Sequence, residues 1–219
     1  MSTITKNLAN GITSLGIIGG ILACTWTIQH PSWIVSEILF LFSLLTDALD
    51  GKVARKFGGT KAGPYLDDIA DMINFGIHPA LWISIISGTS WLAIFFAFCV
   101  LARLVRFTVM KQESADGFSG LPSPAGALIV FGLVFVAPES QIFLIGTLFV
   151  SFLMISTIRF IHVIKYQKLS QFRIPLIVII VILPFLFGLN QRGIGITHLT
   201  IMGIYILFSL LFLPQYARR

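Results

Sequence analysis

Charge is what this sequence has least of. Only 11% of its 219 residues are Asp, Glu, Lys or Arg, whereas 56% are hydrophobic and 20 are Phe. That balance excludes one or two soluble domains, and a mean hydropathy of +0.93 indicates a multi-spanning helical membrane protein. Cysteine is scarce too: Cys24 and Cys99 both lie inside apolar runs, with no CxxC and no Cys/His cluster. A thiolate metal site is thereby excluded, and both cysteines read as inert interior residues. No internal repeat, low-complexity tract or linker marks a second domain, so 1–219 reads as a single one. No cleavable leader fits, because Met1 to Asn10 hold one lysine and the apolar segment that follows is long enough to span. A formal charge of +6 could suggest nucleic acid. In a membrane protein the commoner cause is basic residues gathered on the cytoplasmic side, and no nucleic-acid partner is expected.

What is abundant is apolar sequence, in about eight segments: 8–29, 33–55, 64–88, 90–111, 122–137, 139–162, 174–190 and 196–214. Each is near the ~20 residues that a helix needs to cross ~30 Å of hydrocarbon, 122–137 being short. The breaks carry punctuation, namely His30-Pro31-Ser32, Ser87-Gly88-Thr89, Ala137-Pro138-Glu139 and Asn190 to Gly193. The expectation is one all-α integral membrane bundle. With the N-terminus cytoplasmic, Lys6, Lys52, Arg55, Lys56, Lys61, Arg103, Arg106, Lys111, Arg159, Lys165, Lys168, Arg173, Arg218 and Arg219 all fall at that face. Only Arg192 of the 15 basic residues is left outside. An even number of spans then places both termini inside.

Five of the nine acidic residues, Asp47, Asp50, Asp67, Asp68 and Asp71, crowd into one stretch at the ends of two apolar segments. Carboxylates there are expensive and need a cation, a partner or a task. Positions 47, 50, 51 and 54 share one helical face, as do 67 and 71. The short hairpin 56–63 brings both faces to the same depth, just inside the cytoplasmic boundary. Four facing carboxylates would repel one another unless a divalent cation, or two, lay between them, and oxygen-only ligands favour Mg2+ or Mn2+. Gly51, Ala54 and Gly63 beside them suit close helix packing of the small-xxx-small kind, or room for a bulky anionic ligand that Arg55 and Thr60 could hold. Metals with an arginine at a membrane surface suggest phosphoryl transfer.

The pattern Asp47-x2-Asp50-Gly51-x2-Ala54-Arg55-x7-Gly63-x3-Asp67-x3-Asp71 resembles the signature of the CDP-alcohol phosphotransferase family, with one residue fewer than usual after Arg55. Upstream, Asn10 and Thr13 are similar to the Asn-x-x-Thr pattern of the family's first helix. The resemblance implies that Asp47 and Asp67 bridge two divalent ions and that Asp50 serves one of them. Asp71 would bind the other and deprotonate the acceptor alcohol. It implies that Gly51, Arg55 and Thr60 contact a CDP-lipid, with Ala54, Gly63, Asn10 and Thr13 beside them, and that the protein is a homodimer. Asp68 falls outside the motif and reads as a solvated or supporting residue. Residues 8–162 would form the catalytic core and 174–214 accessory helices.

Asp67 to Ala80, with its Phe75-Gly76 and Pro79-Ala80, resembles a run of the phosphatidylserine synthases. So do Gly120-Leu121-Pro122-Ser123-Pro124-Ala125, Arg103-x2-Arg106-Phe107 and Met154 to Phe160. The implied reaction joins CDP-diacylglycerol and L-serine at the inner face of the cell membrane. Serine's carboxylate wants a cation, which Arg103 or Arg106 could supply, Arg106 ranking ahead on its neighbour Phe107; both could equally be snorkelling anchors. Thr108 stands where the subfamily usually has Asn. Glycerol phosphate, inositol phosphate or choline as acceptor, and an archaeal-type lipid donor, stay open. A cation channel or transporter would explain the acids but not the Gly/Ala/Arg pattern around them. His78 reads as a polar residue facing the bundle, ahead of a proton shuttle. His30, His162 and His198 sit near segment ends without a partner pattern. The last two segments hold no acid and are expected to pack the bundle or an oligomer interface.

Overall fold

Helices begin and end close to where proline, glycine and short polar residues interrupt the apolar runs. A computed structural model describes residues 3–110, 118–138, 140–160 and 190–216. Helix α1 spans Thr3–Gln29 and α2 Trp33–Phe57, on either side of the His30-Pro31-Ser32 break. Gly58 ends α2 with φ of 80°, a conformation that glycine adopts without a Cβ clash. Gly63–Ser87 then form one 25-residue run. It comprises α3 (Gly63–Asp71), a π turn (Met72–Ile77) and α4 (His78–Ser87). Pro79 supplies the reason for the π turn: it has no N–H, and its ring would press on the carbonyl four residues back. Widening the turn, with the His78 N–H bonded to the Ile73 carbonyl, relieves the clash. Helices α5 (Ser90–Met110), α6 (Ser123–Val136), α7 (Gln141–Ile155) and α8 (Gln191–Tyr216) follow.

The protein is therefore an all-α membrane protein. Stretches within α1, Gly63–Ser87, α5 and α8 are long and apolar enough to cross a membrane, and α6 and α7 are shorter apolar helices. The expected segment 174–190 lies, but for Asn190, outside the described residues. So do His162, Lys111, Lys165, Lys168, Arg173, Arg218 and Arg219. Two expected boundaries are corrected. The segment 139–162 leaves the helix at Ile155, because the Ser156 hydroxyl bonds the Leu153 carbonyl (2.8 Å) and accepts from the Ile158 N–H (3.3 Å), competing with the helical ladder. Arg159–Phe160 (β2) then pair antiparallel with Phe118–Ser119 (β1), Phe118 opposite Phe160. The run Asn190 to Gly193, read as a break, instead starts α8. Asn190 Oδ1 accepts from the Gly193 N–H at 3.0 Å, as an N-cap does.

α6 is the central helix, buried at every position from Gly126 to Phe135. Phe131 on it stacks with Phe40 of α2 at 4.4 Å, and Phe40 meets Phe75 of the π turn edge-on. α8 lies against α6 at two glycines: a Cβ on Gly195 would stand 2.8 Å from the Gly132 carbonyl oxygen and 2.7 Å from Phe135 Cβ. The last helix thus packs the bundle, by the small-residue contact that lets helices approach in lipid. Gly195→Ala is expected to lower the melting temperature in detergent, by overpacking worth about 1–3 kcal/mol. Gly203→Ala, whose new Cβ meets nothing within 4 Å, should leave it unchanged.

α1 seats against α2 and the π turn through Gly16, Gly19 and Gly20. A Cβ on Gly16 would lie 2.7 Å from Thr46 Oγ1, and one on Gly20 would overlap the Asn74 carboxamide. This close seating brings the beginning of α1 to the acidic end of α2.

Candidate active site

The turn between Gly58 and Ala62 sends α3 back against α1, and its acidic face meets that of α2 at Asp47. Carboxylate oxygens of Asp47, Asp67 and Asp71 lie within 4.8 Å of one another, Asp47 and Asp71 half-buried and Asp67 exposed. An all-oxygen set of three negative charges suits a hard divalent cation and fits nothing softer. Asp50, the fourth expected ligand, is not in that group. It is buried, and the Thr13 hydroxyl donates to its Oδ2 at 2.6 Å while also reaching the Ala9 carbonyl at 3.1 Å. Thr13, expected at a lipid, is thus a hydrogen-bond partner that fixes a carboxylate.

The other residues expected around a CDP-lipid make a compact rim. Asn10 Nδ2 donates to Thr60 Oγ1 at 2.9 Å, and the Gly63 N–H donates to the same hydroxyl at 3.0 Å. A Cβ on Gly63 would stand 3.5 Å from Asn10 Oδ1, so the missing side chain lets α1 and the start of α3 approach. A Cβ on Gly51 would meet Arg55 Nη1 at 3.2 Å. The bare backbone at 51 therefore gives the exposed Arg55 guanidinium room to fold back over α2. Ala54 is half-buried between them.

Helix α5 contributes the arginines. Arg103 is buried, donates to Ser123 Oγ at 2.7 Å, and lies within electrostatic range of Asp71 and Asp47. Arg106 behaves differently. Its guanidinium donates to the carbonyls of Ser119 (2.7 Å), Ile155 (2.9 Å), Ser156 (3.2 Å) and Met154 (3.4 Å). It therefore satisfies the orphan carbonyls that end α7 and ties them to the chain before α6. Gly120 permits this clamp: its φ is 84°, and a Cβ there would stand 2.8 Å from Arg106 Nη2. A shallow open depression is lined by Arg103, Arg106, Phe107 and Ser119.

Two contacts escaped the reading of the sequence. Asp68 accepts from the Thr108 hydroxyl at 2.7 Å, linking α3 to α5. Glu37 and His198, both fully buried, meet at 3.2 Å between α2 and α8, so His198 does have a partner. The signal for that pair was Glu37, a lone acid inside an apolar run, where an unpartnered charge is untenable. His78 faces the bundle as expected, its Nε2 lying 3.3 Å from Thr27 Oγ1, which in turn pairs with Ser36 Oγ at 2.7 Å. The glycines Gly16, Gly19 and Gly20 were the legible sign of the α1 contact.

Comparison with known proteins bears on this site. The profile of the family described as CDP-alcohol phosphatidyltransferase matches residues 6–214. The CDP-diacylglycerol–serine O-phosphatidyltransferase of Methanocaldococcus jannaschii is 36% identical over 157 residues, 70% of this chain and 73% of that protein. The protein of that name in Helicobacter pylori is 28% identical over 90% of this chain and 85% of its own length. Its namesake in Mycobacterium leprae is 32% identical over 58% of this chain and 46% of its own. The chain thus spans about half the length of the mycobacterial relatives that it matches.

Proposed function

We propose, from the premise that the chain belongs to the CDP-alcohol phosphatidyltransferase family, that it transfers a phosphatidyl group from CDP-diacylglycerol to L-serine and releases CMP. The observation that carries this reading is the carboxylate group of Asp47, Asp67 and Asp71, with Arg103 within electrostatic range of Asp47 and Asp71. The names of the relatives support serine as the acceptor.

In this reading the serine hydroxyl oxygen attacks the phosphorus that carries diacylglycerol. The bond from that phosphorus to the bridging oxygen breaks, and CMP leaves. Asp71 receives the hydroxyl proton, as a general base within reach of the acceptor. Two divalent cations, Mg2+ or Mn2+, held by Asp47, Asp67 and Asp71 with Asp50, would supply charge neutralisation at the pyrophosphate. Asn10, Thr60, Gly63 and Arg55 form the rim against which the cytidine and phosphate groups rest, and Thr13 keeps Asp50 aimed. Arg103 is placed ahead of Arg106 as the cation for the serine carboxylate, because Arg106 is engaged by four carbonyls. The basic residues of the sequence favour an active site at the cytoplasmic face of the cell membrane, and the family resemblance implies a homodimer.

The decisive experiment incubates the purified protein with CDP-diacylglycerol and, separately, serine, glycerol phosphate, inositol phosphate and choline, and measures CMP. Release with serine is expected; release only with another alcohol would refute the acceptor. Arg103→Gln is expected to raise KM for serine roughly 10- to 100-fold, the equivalent of the ~1.5–3 kcal/mol that a charged hydrogen bond contributes. KM for the lipid should move much less.

A further inference from the structure

We infer that the hydrogen bond from Thr108 to Asp68 is a positioning contact that sets the rotation of α3, and with it the aim of Asp67 and Asp71. The inference rests on the metal-binding role proposed above for that carboxylate group. α3 leans on α1 and runs on into the π turn, but it has little apolar anchoring of its own. Among its nine residues Ala70 is the one that is buried, so apolar packing within α3 contributes little to the aim of its polar side chains. Its N-terminal end is pinned by polar contacts, the Gly63 N–H to Thr60 and Thr60 to Asn10. Its middle is pinned by Asp68 Oδ2, which accepts from Thr108 Oγ1 at 2.7 Å.

Helix geometry makes that second pin a rotational stop. At ~100° per residue, Asp68 projects about 100° from Asp67 and about 60° from Asp71, so it reaches α5 while its neighbours face α2. A carboxylate sits ~6 Å from the helix axis, and a rotation of about 10° displaces it by roughly 1 Å. A shift of that size is enough to cost an active site on the order of 10²-fold. Thr108 lies on the same helix as Arg103, and Phe107 beside it lines a depression with Arg103. The bond therefore also fixes the carboxylates relative to the cation proposed for the acceptor. A β-branched threonine suits the task, since its χ1 freedom is small and its hydroxyl is held in one direction.

The test uses the full chain in lipid nanodiscs, with Mn2+ alone titrated by electron paramagnetic resonance, CMP release measured alongside, and melting temperature as the control for folding. Thr108→Val, which keeps the shape and removes the hydroxyl, is expected to weaken Mn2+ binding about 10-fold and to lower kcat, at a nearly unchanged melting temperature. Thr108→Ser should recover both. Asp68→Ala removes the other partner, and the double variant should be no worse than the poorer single one. Wild-type Mn2+ binding in Thr108→Val would overturn the inference, as would a failure of Thr108→Ser to recover it or losses that add in the double variant. If the wild-type protein released no CMP with serine while the Mn2+ series behaved as described, the acceptor assignment would fall and the positioning role would stand.

Discussion

Asp71→Asn should abolish CMP release, lowering kcat by about 10³-fold or more, while CDP-diacylglycerol binding survives in part. The substitution keeps size and hydrogen-bonding shape but removes the charge and the ability to take a proton. A positioned general base contributes ~10²–10⁴-fold, and loss of a ligand charge adds to that. Asp71 is the group for this role by position. It ends α3 immediately before the π turn, half-buried, close to Asp47 and Asp67 and within electrostatic range of Arg103. Asp47 or Asp67 changed to Asn should impair metal-dependent lipid binding together with turnover, whereas Asp71→Asn should separate the two. Equilibrium binding of a labelled CDP-lipid, beside CMP release, distinguishes these cases. Full activity in Asp71→Asn would remove the base assignment.

Chelation with EDTA is expected to reduce turnover to background, with Mg2+ or Mn2+ restoring it. The physical reason is the repulsion among Asp47, Asp67 and Asp71, whose oxygens lie within 4.8 Å. Like charges held this close oppose the fold. A bound divalent cation offsets that repulsion. Magnesium should therefore also raise the melting temperature of the chelated protein, by a shift that grows with its concentration as mass action requires. This thermal shift is independent of which alcohol is the acceptor. Undiminished CMP release in excess EDTA would exclude a metal-assisted reaction.

How far residues disclose their neighbours depended on the range of the contact. The pairing of Asp67 with Asp71 follows from a four-residue spacing, and their meeting with Asp47 follows from a short hairpin between two helices. Such information is local, so it is legible in the chain. The fate of Asp50 was not, because its partner Thr13 lies 37 residues away. Arg106 was assigned to the acceptor on the chemistry of its side chain. Its four carbonyl partners exist only once α7 ends at Ile155 and the strand pair closes beneath it. Thr108 looked like a departure from a familiar pattern, and became intelligible only when α5 was seen to cross Asp68.

The sequence by itself determined that this is a helical membrane protein with five of its nine acids gathered around one hairpin. Apolar length, sparse charge and helical periodicity act over a few residues and are written along the chain. Tertiary structure alone decided how the carboxylates are aimed. It separated Asp50 from the other three, seated α1 on glycines, bound Arg106 to backbone, and stopped α3 against Thr108. Each of these depends on two helices approaching within hydrogen-bond distance, and in a bundle that approach is set by the packing of every helix at once.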